Sequence, residues 1–202
     1  MTRPPTPWLN LPNLLSLGRI AAVPVLVLLL ALGQGGRAAS YAAAVIFLVA
    51  VLTDLLDGYL ARRYHLVTTL GRFLDPLADK LLNMAALIML IPLDRVPAWV
   101  AFLILAREIA VTGLRAIAVA EGIVISASSQ GKQKTLTQNF ALFCLLWHYP
   151  FLGRNAQAVG QVLIYLALVI TYISAWGYFR GFYRQARAKS SAQKGVDNPA
   201  KK

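Results

Sequence analysis

Six stretches of this 202-residue chain are mostly apolar over about 20 residues, four of them with ionisable residues inside, and nothing else constrains the fold as strongly. They fall at 11–33, 38–61, 75–93, 97–120, 134–153 and 157–179. A helix of that length matches the hydrocarbon thickness of a bilayer. Inside lipid every backbone polar group must be satisfied within the protein, so such segments fold as helices. Only 14% of the residues are charged, where soluble chains carry roughly 25%. A water-soluble globule of this size needs a larger polar exterior, and that class is excluded. The single cysteine, Cys144, excludes a disulfide scaffold and a cysteine-based zinc site. The expected fold class is an all-α integral membrane protein with six transmembrane helices. Arg19 inside the first run, and five runs behind it, argue for a retained helix rather than a signal peptide.

Orientation follows from the basic residues in the connections. The stub before 11, the 62–74 and 121–134 connections and the segment after 179 would share one side, with thirteen Lys and Arg against three on the other. That places both termini in the cytoplasm of a multi-pass protein of the cytoplasmic (inner) membrane. Residues 1–187 form the membrane domain, and 188–202, rich in Lys, Ser and Ala, read as a polar, disordered cytoplasmic tail. The net charge of +12 in so apolar a chain suits anionic lipid headgroups, not nucleic acid.

With the helices laid alternately up and down, the ionisable residues within them converge. Arg19, Asp54, Asp57, Asp75, Asp79, Lys80, Arg107, Glu108, Arg115, Lys132, Lys134 and Gln138 all fall at the membrane centre or on its cytoplasmic side. Ionised groups at that depth face one another or a wet cavity. A polar active-site cavity open to the cytoplasm, walled by the first five helices, is therefore expected.

Four of the eight acids lie between 54 and 79. Asp54 and Asp57 are three apart and Asp75 and Asp79 four apart, spacings that put each pair on one helix face. Gly58 and Ala61 continue the first face with almost no side chain, leaving a smooth lane, and Gly71 lies in the connection. Carboxylates so close cannot all stay ionised without cations. Hard oxygen donors suit Mg²⁺, Mn²⁺ or Ca²⁺, and Mg²⁺ typically binds through carboxylates together with substrate phosphates. The plainer reading is a set of ion pairs with Arg62, Arg63, Arg72 and Lys80, with Gly58 and Ala61 serving close helix packing.

These residues resemble the signature of the CDP-alcohol phosphatidyltransferase family, D-x-x-D-G-x-x-A-R followed after eight residues by G-x-x-x-D-x-x-x-D. It stands complete as Asp54, Asp57, Gly58, Ala61, Arg62, Gly71, Asp75 and Asp79. The resemblance implies transfer of the phosphatidyl or phosphoalcohol part of a CDP-linked donor to an alcohol, with release of CMP. It implies that Asp54, Asp57, Asp75 and Asp79 hold two divalent ions, Mg²⁺ or Mn²⁺, and that Asp79 is the catalytic base. Asp54, Gly58, Ala61, Arg62 and Gly71 would bind the CDP moiety, and the assembly would be a homodimer.

A second, basic set comprises Arg107, Arg115, Lys132 and Lys134. Four cations beside a diphosphate site exceed what a neutral alcohol requires, and suit an acceptor that carries its own phosphate. Alternatively Arg107 pairs with Glu108 and the lysines only mark the cytoplasmic side. The stretches from Asn10 to Arg19, from Arg107 to Arg115 and from Gly131 to Gln138 resemble the branch of the family that uses CDP-diacylglycerol and sn-glycerol 3-phosphate, with Ser16 where that branch often has Thr. Inositol phosphate or phosphatidylglycerol would be the next acceptors to consider. A divalent-cation transporter is the competing class, but a transport path needs polar groups on the outer side as well. His65, His148 and Cys144 read as structural, and Trp8, Trp99, Trp147 and Tyr149 as headgroup-level anchors.

Overall fold

The computed structural model describes residues 11–63, 69–123, 129–150, 153 and 155–196, with residues 11, 12, 55, 57–63, 69, 70, 72, 129–132 and 188–196 described as backbone alone. All the regular elements among them are helices: α1 (Leu11–Gly33), α2 (Arg37–Arg63), α3 (Thr69–Leu90), α4 (Ala98–Ala120), α5 (Ser129–Trp147) and α6 (Ala156–Val196). By length and composition, Asn13–Gly33, Arg37–Asp54 and Ala156–Arg187 are apolar and long enough to cross a membrane. The other three helices, α3, α4 and α5, carry most of the ionisable residues that the sequence places in the cavity.

The distribution of side chains is inverted relative to a soluble protein. Leu32, Phe102, Val119, Val162 and Trp176 are exposed on the outside, while Arg19, Arg95, Arg107 and Lys134 are buried. Apolar surface on that scale is a lipid- or partner-facing exterior. The interior is packed from Leu26, Leu30, Phe47, Leu82, Leu87, Ile104, Leu142, Leu145 and Ile164, interleaved with Ala43, Ala44, Ala86, Ala101 and Ala141. Between membrane helices such small residues let backbones approach closely, and packing replaces the hydrophobic drive. Gly160 shows how close: a Cβ there would stand 2.7 Å from Leu145 Cγ, so α5 and α6 can meet only through glycine.

α1 lies against both α2 and α3, α5 against α2, α3 and α6, and α4 chiefly against α6, with few contacts between α3 and α4. That sparse seam leaves room for a cavity. α4 stops in a chain reversal typical of glycine-terminated helices. Gly122 takes a φ of +68°, its N–H donates to Val119 and the Ile123 N–H donates to Ala118.

Helix bounds differ from the sequence reading in three helices. α3 begins at Thr69, so Gly71 is a buried residue of its first turns and not part of a connection. α5 begins at Ser129 and closes at Trp147, where His148 turns to a φ of +62° ahead of Pro150. α6 runs on to Val196, through 188 where the polar tail was expected to begin, and residues 197–202 lie outside the described residues. His65, Trp8 and the resemblance segment before Leu11 also lie outside them.

At one end of the bundle, Arg95 ties four chain segments together. Its guanidinium donates to the carbonyls of Leu145 (3.3 Å) and Leu146 (3.1 Å), to the Gly35 carbonyl (2.8 Å) and to Ser40 Oγ (2.8 Å). Tyr149 also donates to Gly35, and Gln157 Nε2 donates to the Arg95 carbonyl. The Leu145 and Leu146 carbonyls lie in the last turn of α5, whose orphan acceptors favour a cation. Burial lowers the Arg95 pKa from its ordinary value, partly offset by Tyr149. The residue is 3% exposed, so a charge counted from sequence as a loop marker is a buried fastener.

Candidate active site

α1 contributes a polar stripe. Asn13, Ser16 and Arg19 are spaced by three, share one face and are all buried. Ser16 donates to Asp75 Oδ1 on α3 and Arg19 pairs with Asp54 Oδ1 on α2. One helix thus fastens the two acid-bearing helices, which scarcely touch each other directly. The i, i+3, i+6 spacing of polar residues in an apolar run was the available signal for Asn13 and Ser16.

Asp79 lies one turn beyond Asp75 on α3, within electrostatic reach of Asp54, Arg19, Lys134 and Lys80. Asn83, a further turn along, donates from Nδ2 to Asp79 Oδ1 (3.1 Å) and to the Asp79 carbonyl (3.1 Å). Asp79 lines a cavity whose wall also includes Lys80, Asn83, Glu108, Lys134 and Gln138. Its walls come from α3, α4 and α5, fewer helices than the five expected.

The basic residues divide. Arg107 and Lys134 meet on one carboxylate, Glu108 Oε1, the former at 3.0 Å. Arg107 also donates from Nε to the Thr171 carbonyl of α6 (2.9 Å), so it braces α4 on α6, whereas Lys134 stands on the cavity wall. The Arg107–Glu108 pair allowed by the sequence forms, with Lys134 as an added partner. Arg115 is exposed, close enough to Lys80 for their charges to interact. Lys80 donates to Thr112 Oγ1 (2.6 Å). Glu108 and Asn83 were not singled out as site residues, although both lie at helical spacing from residues that were. Asp57, Gly58, Ala61, Arg62 and Lys132 belong to α2 and α5 as backbone, and their side-chain placement lies outside the described residues.

The donor set fits a hard divalent cation. Asp54, Asp75 and Asp79 offer carboxylate oxygens and no soft ligand, and the charges of Asp54 and Asp79 interact. Ser16 and Arg19 each engage one oxygen of a carboxylate that has two. Among the described side chains, which leave out Asp57, no three acidic, His or Cys residues gather as a metal cluster.

Asp79 on α3 and Lys134 on α5 line one cavity, with Asp54 on α2 within electrostatic reach of Asp79, in a bundle whose exterior is apolar. A profile of the CDP-alcohol phosphatidyltransferases matches residues 9–173, and the chain belongs to that family. It is similar to CDP-diacylglycerol–glycerol-3-phosphate 3-phosphatidyltransferase of Bacillus subtilis, with 42% identity over 84% of this chain and 93% of the relative. The protein of the same name from Rickettsia bellii is 39% identical over 85% of this chain and 94% of its own length. A probable phosphatidylglycerophosphate synthase of Mycobacterium tuberculosis is 42% identical over 84% and 79% respectively.

Proposed function

We propose that this protein transfers the phosphatidyl group of CDP-diacylglycerol to sn-glycerol 3-phosphate, giving phosphatidylglycerophosphate and CMP. The observation that carries this reading is Asp79 on the wall of a cavity that also holds Lys134, within electrostatic reach of the Asp54 carboxylate on α2. A base at one point and a cation at another suit an acceptor with a hydroxyl and a phosphate. The names of the relatives from Bacillus subtilis and Rickettsia bellii support the same donor and acceptor.

In this mechanism a primary hydroxyl of the acceptor attacks the phosphorus that bears the diacylglycerol. Its proton passes to an Asp79 carboxylate oxygen, the phosphorus–oxygen bond to CMP breaks, and CMP leaves with the bonding pair. Asn83 holds Asp79 in position, because its Nδ2 bonds one oxygen of the carboxylate while anchored on the Asp79 backbone carbonyl. Asp54, Asp57, Asp75 and Asp79 would hold two divalent ions, Mg²⁺ or Mn²⁺. When bound, these supply positive charge against the diphosphate and the departing nucleotide. Asp54, Gly58, Ala61, Arg62 and Gly71 line the CDP lane. Lys134 takes the acceptor phosphate, with Arg107 holding Glu108 and α4 in place and Lys132 and Arg115 supplying the approach. Six helices cross the cytoplasmic membrane, with both termini and the cavity on the cytoplasmic side, and the protein works as a homodimer. The division into a membrane domain to 187 and a tail from 188 belongs to the same proposal.

Incubation of the purified protein with CDP-diacylglycerol and a panel of acceptors tests this reading. CMP should appear together with phosphatidylglycerophosphate when sn-glycerol 3-phosphate is supplied, and product from inositol phosphate or phosphatidylglycerol alone would overturn it. Excess chelator is expected to stop turnover and added Mg²⁺ or Mn²⁺ to restore it. Undiminished activity after chelation would remove the metals from the mechanism. Lys134→Ala should raise the KM for sn-glycerol 3-phosphate about 10- to 100-fold, the scale of one charge-assisted hydrogen bond. The KM for the CDP donor should stay within about threefold on the same reasoning. Equal damage to both would show that Lys134 does not hold the acceptor phosphate.

A further inference from the structure

We propose that Asn83 recognises the acceptor's second hydroxyl, making it a determinant of polyol specificity; the inference rests on the transfer reaction proposed above. Asn83 is 8% exposed and lines the cavity beside Asp79. Its Nδ2 donates to both the carboxylate and the carbonyl of Asp79. That double bond to acceptors fixes the amide orientation, because turning it over would bring its oxygen against two oxygens. The Oδ1 is therefore held away from Asp79, and it is buried without a hydrogen-bond partner among the described residues.

A buried acceptor left unpaired carries a penalty that native structures normally relieve. Asn139, on the α5 wall of the same cavity, has a second Oδ1 in the same condition. Two residues of the cavity wall thus carry acceptors in need of donors, and Lys134 supplies a cation on the same wall. A phosphate brings only acceptors in its ionised form, so it belongs with the lysine. The group that belongs beside Asn83 brings O–H donors. sn-Glycerol 3-phosphate has two hydroxyls. With the primary one directed at the Asp79 base, the adjacent secondary one is the natural donor to Asn83 Oδ1. A site built to bond a substrate hydroxyl discriminates against an analogue lacking it, because its own polar group is then stranded.

The test compares sn-glycerol 3-phosphate with propane-1,3-diol monophosphate, which keeps the attacking hydroxyl and the phosphate and lacks the middle hydroxyl. The full-length wild-type protein, with CDP-diacylglycerol and metal, should prefer the glycerol compound in kcat/KM by about 10- to 100-fold. In Asn83→Leu and Asn83→Ala both rates fall together through the lost bond to Asp79, but their ratio should shrink to within about threefold. Asn83→Gln, which keeps both the amide donor and an acceptor oxygen, should retain the preference. A wild-type enzyme that turns over both acceptors equally overturns the inference and leaves the transfer reaction standing. So does a ratio unchanged in Asn83→Leu and Asn83→Ala, or loss of both activities in all three variants, which would assign Asn83 to support of Asp79 and the fold alone. Wild-type protein inactive on sn-glycerol 3-phosphate overturns the inference and the proposed function together.

Discussion

Replacing Asp79 by asparagine is expected to lower kcat by about 10³-fold while CDP-diacylglycerol is still retained in a metal-dependent manner. The substitution preserves volume and one oxygen, so the contact with Asn83 and the packing of α3 against α1 can persist. What disappears is a group able to accept the hydroxyl proton. Proton transfer by a positioned side chain contributes typically 10²–10⁴-fold, and a base with no substitute nearby sits at the upper part of that range. Asp75, one turn away, is engaged by Ser16 and Asp54 by Arg19, so neither is poised to stand in. CMP release in single turnover and retention of labelled donor on the protein would be measured side by side. Turnover close to wild type would eliminate Asp79 as the base. Loss of donor retention in parallel with turnover would make it a metal ligand first.

Arg95→Met should produce the largest loss of stability of any substitution away from the catalytic residues. Four guanidinium bonds disappear, and the carbonyls of Leu145 and Leu146 lose their side-chain donor, while Gly35 keeps Ser40 and Tyr149. Each stranded acceptor costs about 1–3 kcal/mol, with partial relief from water, so a net loss of roughly 3–5 kcal/mol is expected. For a chain of this length that corresponds to a fall of about 10 °C in the midpoint of thermal unfolding in detergent. Arg95→Lys should recover only part of it, since an ammonium cannot reproduce a planar fork reaching several segments at once. A midpoint within about 2 °C of wild type for Arg95→Met would show the cluster to be incidental.

Much of the architecture is legible from hydropathy because α1, α2 and α4 owe their bounds to apolar run length, and these agree with the structure to within about two residues. The departures have physical causes. Residues 69–74 include threonine, glycine and arginine, which weakens a run judged by apolarity, yet contact with α1 carries the helix back to Thr69. Beyond 179 the chain ceases to be apolar but not to be helix-forming, since Arg, Gln, Ala and Lys all have high helix propensity. The end of hydropathy is therefore not the end of α6.

The candidate site divides in the same manner. Acids at i, i+3 and i, i+4 spacing share helix faces by geometry alone, so the aspartates could be grouped without coordinates. The roles of Arg95 and Arg107 depend on which distant carbonyls happen to be waiting, Leu145 for the one and Thr171 for the other. No local pattern encodes such meetings. Glu108 was visible as the neighbour of Arg107, but its capture of Lys134 follows only from the docking of α5 near α4 across the cavity.

The Arg95 cluster also sets an order on biogenesis. Its partners extend from Gly35 to Leu146, and Gln157 adds the last bond through the Arg95 carbonyl. In a nascent chain that has delivered its first four helices, the guanidinium between the third and fourth can find only its Gly35 and Ser40 partners. The other half of its bonds waits until the fifth helix emerges and presents its terminal carbonyls. Maturation of the enzyme is thereby timed to the arrival of the last third of the polypeptide, and a chain released before that point would remain unlatched.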